Sequence, residues 1–497
     1  MKMTKQYVIH LIIGIISLGV LASCEYEESG DYLSSEAYYD EGMYVNTTGD
    51  QYNEIQENPF VSTVEEATTT FSIDADGASY ANVKRFIEEG QMPPKNAVRI
   101  EELINYFPMY YADQHPDHPL SVNGELSDCP WAEGHQLLRI GVMGDQIPRD
   151  ELPGSNIVLL IDVSGSMTSS DKLKLLVEGF QLMVDKLRED DRVAIVIYAG
   201  SVGVHMESTS ASEKDYIKGM LSELTSGGST AGAAGIRTAY EIAEEHFIEG
   251  GNNRIILGTD GDFNVGSSSQ EELVQIIEEE REKGIFLTVV GVGRGNLNDG
   301  MMEQVANHGN GTYEYINDLT QAKKVFVDEF HKFYPAAQDV KVQVTFNPDK
   351  IASYRLIGYE NRALENEDFE NDEEDAGELS VGQSVTALYE LIPAEEAVAD
   401  ATEALNIDFR YKLPTADSSI PLTLKVFDKG KTFAQASESM RFAGSVAAFG
   451  LLLRDSEYKG TANIAQVLQW AEEAKGEDPF DYRAGFIDLL RGVQDIQ

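Results

Sequence analysis

Asp162, Ser164 and Ser166 stand at alternate positions directly after the apolar run Ile157 to Ile161. One carboxylate and two hydroxyls on a short loop are hard oxygen donors, and they suit Mg²⁺, Ca²⁺ or Mn²⁺ better than zinc. The apolar run is bounded by Pro153, Gly154 and Gly165 and reads as a strand buried on both faces. The triplet therefore sits at the carboxyl end of a strand, where ligands bind in open α/β sheets. The competing reading is a plain capped turn, with Ser166 or Asp171 capping the helix that follows.

Two more segments can supply oxygens to the same place. Gly227-Gly228-Ser229-Thr230 is a loop ahead of a helical pattern from Ala233 to Phe247. Arg254 to Leu257 is a second short buried strand, and it ends in Thr259-Asp260-Gly261. A hydroxyl from Thr230 and a carboxylate from Asp260 would complete the donor set. In this order, over residues 154 to about 332, the chain resembles the von Willebrand factor type A domain and its metal-ion-dependent adhesion site. The resemblance implies Ser164 and Ser166 as direct metal ligands, with Thr230, Asp162 and Asp260 acting directly or through water. It also implies a divalent cation, Mg²⁺ before Ca²⁺ or Mn²⁺, with one open position that an acidic residue of a protein partner fills.

Other metal patterns fit less well. Asp260, Asp262, Asn264 and Glu271 match positions 1, 3, 5 and 12 of a helix–loop–helix calcium site. The sharp turn of that loop needs glycine where this chain has Val265, and a strand precedes Asp260 instead of a helix. Asp74 and Asp76 begin the same pattern, which then fails at Ser79 and Arg85. His115 and His118 lie in a Pro-rich loop without further ligands and read as surface turn residues. With Cys24 assigned below to lipid attachment, Cys129 is the remaining thiol, so neither a disulfide nor a zinc set is expected.

The elements that must position these residues alternate in type. Strands are expected at Ile157–Ile161, Val193–Tyr198, Ile255–Leu257, Phe286–Val292 and Thr312–Ile316, with an antiparallel edge strand at Val202–Met206. Leu173, Leu176, Val177, Phe180, Val184 and Leu187 recur at helical spacing and read as core packing. The expected fold class is α/β, a doubly wound, mostly parallel sheet. After Pro335 the apolar period changes to two, at Val340–Val344, Thr386–Leu391, Ile407–Tyr411 and Leu422–Val426, which reads as an antiparallel sandwich. The α/β domain is either inserted into this β-rich domain or flanked by it. From Ala443 the pattern is helical again.

The assigned divisions are a leader over 1–23, a flexible acidic spacer over 24–64, an amino-terminal region over 65–150, and the type A domain over 154–332. The sandwich region covers 335–440 and the helical region 441–497. The phrases FSIDADGASYANVKRF and VRIEELINYF, and later FGLLLRDSEYKG and DYRAGFIDLL, resemble the flanking regions of a family of bacterial type A lipoproteins. The tract Glu365 to Glu378 reads as a mobile acidic loop.

Lys2 and Lys5 precede the apolar stretch Val8 to Leu21, and Leu21-Ala22-Ser23-Cys24 closes it. This resembles a lipoprotein signal whose cleavage leaves lipids on Cys24 and ties the chain to a bilayer. Glu25, Glu27 and Glu28 behind it resemble an export signal, so outer membrane or cell surface is expected before inner membrane. A formal net charge of -47 excludes a nucleic-acid-binding face as a default.

Three function classes are compatible with an oxygen-lined site of this kind. The leading expectation is an envelope protein that binds a protein partner through a divalent ion. The second is a scaffold in which the metal is purely structural. An enzyme is not expected, because no general base or nucleophile partner for Ser164 is identifiable from sequence.

Overall fold

The computed structural model describes residues 39–40, 43–45, 49–111, 117–228, 232–261, 270–395, 403–414 and 416–496. Of the expected site residues, Thr230 and Cys24 lie outside the described residues, as do the leader and His115.

Tyr39–Asp40 (β1), Met43–Val45 (β2) and Gln51–Asn53 (β3) form a small antiparallel sheet. The flexible spacer expected to run to residue 64 is therefore corrected from residue 49 on, where Asp50, Tyr52 and Thr63 are buried and Tyr52 accepts a 2.7 Å hydrogen bond from Asn82 of the following helix. Val61–Ser62 (β4), Thr68–Ser72 (β5), the helices Ala78–Glu88 (α1) and Ile100–Asn105 (α2), and the hairpin Leu120–Asp128 (β6) and Gln136–Gly144 (β7) follow.

The α/β part runs Ser155–Asp162 (β8), Leu175–Lys186 (α3), Arg192–Tyr198 (β9), Val202–Ser210 (β10), Lys214–Ser222 (α4) and Gly232–Glu245 (α5). It continues through Asn252–Thr259 (β11), Gln270–Glu282 (α6), Ile285–Val292 (β12), Asp299–His308 (α7), Tyr313–Ile316 (β13) and Leu319–Lys323 (α8). The sheet order is β10-β9-β8-β11-β12-β13, parallel throughout except for β10 at the edge. Every residue of β8, β11 and β12 is buried, because helices cover both faces. Side chains on β8 alternate between the two layers. Ile157, Leu159 and Ile161 meet Leu176 and Phe180 of α3, whereas Val158 and Leu160 meet Ile236 and Tyr240 of α5. Each such apolar side chain contributes about 1.5–3 kcal/mol when fully buried.

Pro335–Phe346 (β14), Ile351–Ile357 (β15), Ala363–Leu364 (β16), Gly377–Ser380 (β17), Ser384–Pro393 (β18), Glu403–Lys412 (β19) and Ile420–Phe427 (β20) complete two further sheets. One has the order β16-β5-β14-β19-β20 with β17 also on β14, and the other β4-β15-β18-β7-β6. Both mix strands from before and after the α/β part, which is thus inserted between β7 and β14. Phe71, Leu138, Val342, Tyr389 and Ile407 share the core between the sheets.

Glu438–Arg454 (α9), Ile464–Glu473 (α10) and Tyr482–Ile496 (α11) pack on α1 and α2 through Tyr80, Leu103, Phe107, Phe442, Phe449 and Phe486. No helix of the described residues is long and apolar enough to cross a membrane.

The acidic tract from Glu365 to Glu378 is built differently from the mobile loop expected. It contains the short helical turn Asn366–Glu370 and the start of β17. Lys341 donates to the carbonyls of Asp368 and Asn371, and Arg281 pairs with Asp375 at 2.6 Å. Basic side chains on β14 and α6 hold the tract, and a composition argument could not have seen them.

Candidate metal centre

The residues Asp162 and Asp260 come from adjacent parallel strands. β8 ends at Asp162 and β11 at Thr259, one residue before Asp260. The chain leaves β8 toward β9 on one side, while β11 lies on the other. Their carboxyl ends therefore flank the point where strand order reverses, the place such sheets reserve for ligands.

The first loop is shaped by Asp162 itself. Its Oδ1 accepts a 2.8 Å hydrogen bond from Ser164 N, and its Oδ2 accepts one of 3.2 Å from Thr259 Oγ1. Ser164 Oγ then lies 2.9 Å from Ser166 Oγ, so the two hydroxyls face one another. Neither Ser166 nor Asp171 caps a helix, since the helical turns after this loop carry no side-chain cap. The capped-turn reading is therefore not what these oxygens do.

The second loop is bound to the first. Gly227 N donates to Val163 O at 2.7 Å and Gly165 N to Gly228 O at 3.0 Å. Gly228 has φ +92, a backbone state suited to glycine. Thr230 follows this bonded segment, and its own placement lies outside the described residues. Asp262 and Asn264 of the calcium-loop pattern also lie outside them, while Glu271 falls on α6.

The third loop carries Asp260, which is fully buried. Lys172 Nζ donates to Asp260 Oδ2 at 2.9 Å and to Asn296 Oδ1 at 2.8 Å. Burial pushes the Asp260 carboxyl up, but hydrogen bonds from Lys172, Asn296 and Ser166 and the charge on Lys172 hold it below its ordinary value. Asp162 moves the other way. Burial, and to a smaller extent the charge on Asp260, push it up to about 6 against hydrogen bonds from Ser164 and Thr259.

Lys172 and Asn296 were missed by sequence reading. Lys172 precedes Leu173 in a helix that reads as amphipathic, and a lone lysine there is ordinarily solvated. Its stem fits inward because Gly293, at φ +74, has no side chain, and a Cβ there would stand 2.3 Å from Lys172 Cγ. The loop bearing Asn296 is held from behind by Asp50, whose Oδ1 accepts from Gly295 N at 2.7 Å and whose Oδ2 pairs with Arg85 at 2.8 Å.

The donor set fits a hard divalent cation. Two carboxylates and two hydroxyls converge, the carboxylate of Asp162 is held ionised only at a cost, and Lys172 neutralises only one of the two negative charges. Asp162, Ser164, Ser166 and Asp260 would hold such an ion.

Comparison with known proteins agrees in extent. Residues 156–328 match the von Willebrand factor type A domain, residues 46–139 a region described as von Willebrand factor, and residues 331–496 the carboxyl-terminal domain described as uncharacterized protein YfbK. A protein of Escherichia coli (strain K12) with that description is 41% identical over 473 residues, covering 90% of this chain and 82% of its own. Human inter-alpha-trypsin inhibitor heavy chain H3 is 27% identical over 164 residues, which is 31% of this chain and 18% of that one. A solved von Willebrand factor type A protein from Catenulispora acidiphila aligns at a TM-score of 0.44 with 15% identity, over 78% of this chain and 91% of its own.

Proposed function

Because this chain belongs to the family of type A domain proteins that end in the YfbK carboxyl-terminal domain, we propose that it captures a protein partner on the cell envelope through a divalent cation. The observation that carries this reading is the convergence of Asp162, Ser164 and Ser166 with Asp260 at the strand-order switch. When bound, the ion, Mg²⁺ by preference, supplies a positive centre that offsets the desolvation of a carboxylate on the partner.

The chain's own residues prepare that place. Asp162 spends one lone pair of each oxygen on Ser164 N and Thr259 Oγ1, which fixes its carboxylate plane. Lys172 and Asn296 fix Asp260 through hydrogen bonds to its carboxylate. Ser164 is buried and Ser166 half exposed, so of the two hydroxyls that of Ser166 lies toward the outward edge of the site. The reading assigns no covalent chemistry to Ser164, whose hydroxyl faces that of Ser166.

The anchor belongs to the same reading. Lipids on Cys24 would hold the folded body, which takes in β3 and β4 from the end of the expected spacer, at the outer membrane or cell surface, where a partner is met.

The test is capture of partners from envelope extract by the purified chain in Mg²⁺, in chelator, and with Asp162→Ala in Mg²⁺. Capture should occur in the first condition and be lost in the other two, while the thermal transition moves little. Equal capture by Asp162→Ala would end the proposal. A large fall in melting temperature in chelator, with capture unchanged, would favour a purely structural metal.

A further inference from the structure

Asp74, Asp76 and Glu102 are buried, and each presents a carboxylate oxygen within 4.8 Å of the others. Asp74 and Asp76 lie between β5 and α1, whereas Glu102 lies on α2. The calcium-loop pattern fails after Asp76 at Ser79 and Arg85, and the third carboxylate beside the two aspartates comes from α2.

The surroundings do not balance this charge. Arg99 pairs with Glu102, Asp299 and Glu303, and Arg362 with Asp74 at 3.1 Å and Asp76 at 3.9 Å. Two guanidinium groups thus face five buried carboxylates. Uncompensated charge of that kind is expensive away from water.

Asp76 is 2% exposed. Its Oδ1 accepts a 2.8 Å hydrogen bond from Tyr313 N, while its buried Oδ2 accepts none and faces Arg362 Nη2 at 3.9 Å. Buried carboxylate oxygens in native proteins are nearly always satisfied. Asp74 and Asp76, with Arg362, also line a cavity of about 190 Å³ that reaches Asn307 and Thr312, which gives room for waters on the side of the two aspartates away from Glu102.

We infer that Asp74, Asp76 and Glu102 hold a second divalent cation, Ca²⁺ by preference, separate from the site at Ser164 and Ser166. Ligand oxygens across a Ca²⁺ ion, each at about 2.3–2.6 Å, stand up to about 5 Å apart, so the observed spacing fits. Ca²⁺ also accepts an irregular shell of carboxylate, hydroxyl and water oxygens, which Mg²⁺ tolerates poorly. The ion would tie the turn after β5 to α2 and, through Tyr313 N on Asp76, to β13. It would fix the sandwich, the helical layer and the α/β part against one another.

Calorimetric titration of Ca²⁺ into the purified full chain carrying Asp162→Ala tests this, in about 0.15 M salt to screen surface carboxylates. One ion per chain should bind, and the double variant Asp76→Asn/Asp162→Ala should bind none. No binding to folded Asp162→Ala would overturn the inference and leave protons as what neutralises the cluster. One ion still bound to the double variant would also overturn it. Should the double variant not fold, Mn²⁺-soaked crystals of the unmodified chain decide. An anomalous peak beside Asp76 Oδ2 supports the second site, and a peak at Ser164 and Ser166 alone refutes it.

Discussion

Lys172 Nζ lies 2.9 Å from Asp260 Oδ2, and both side chains are buried. An internal ammonium thus holds one carboxylate of the candidate metal centre, leaving Asp162 as the carboxylate that burial strains. The pair has two consequences of opposite sign.

Lys172→Met removes the cation beside the site. Mg²⁺ binding should tighten on the order of tenfold or more, since a nearby positive charge no longer opposes the ion. In chelator the same variant should lose about 3 kcal/mol of unfolding free energy, because the buried Asp260 carboxylate loses the positive charge that offsets its own. Calorimetry and denaturant melts read the two effects separately. Weaker ion binding with unchanged stability would show that Lys172 does neither job.

Gly261→Ala should damage the third loop. Gly261 has φ +93, and a Cβ there would stand 2.4 Å from Asn298 N. Destabilisation above about 1 kcal/mol is expected, with loss of ion affinity, because Asp260 is the preceding residue. Wild-type affinity in this variant would mean that the loop's path does not matter to the site.

Leu176→Ala probes how α3 holds the first loop. Leu176 is fully buried, and a Cβ on Gly258 of β11 would stand 2.3 Å from its Cδ2. The cavity should cost about 2–5 kcal/mol by denaturant unfolding. A cost under about 1 kcal/mol would mean that the helix does not rest on this contact.

Stability should depend on pH through Glu101. Burial first, then the charge on Glu360, push its carboxyl up to about 8 against the pull of Arg454. Between the ordinary carboxylate range near 4.5 and about 8, the folded chain keeps a proton that the unfolded chain has released. Stability contributed by that proton is therefore present at low pH and lost as pH rises through about 8. Unfolding free energies measured in chelator from pH 5 upward should fall more steeply for the unmodified chain than for Glu101→Gln. Parallel curves would remove Glu101 as the cause.

The α/β sheet was legible because its strands are short apolar runs and its helices carry the 3.6 period. All five strands expected in parallel order appear, and Val202 opens the antiparallel edge strand. Sheet membership across the insertion was not legible. The pairing of Phe71 with Val342 and of Ile140 with Ala387 joins segments far apart in sequence, and period-two alternation says nothing about which strand lies beside which.

The first loop of the site could be read because DxSxS is local. Lys172 could not, because its burial depends on a missing side chain at Gly293 on a different loop. Glu102 is hidden in the same way, as an acidic residue in a helix whose every residue is buried. Its partners Asp74 and Asp76 looked like a failed calcium loop until α2 was placed against them.

Crystals of the unmodified chain soaked in Mn²⁺ and measured for anomalous scattering address the metal centre most directly. The expected result is a peak against the hydroxyls of Ser164 and Ser166, on the side facing Asp162 and Asp260, absent from Asp162→Ala crystals. A map with no peak there, from crystals in which the three loops keep their hydrogen bonds, would contradict it.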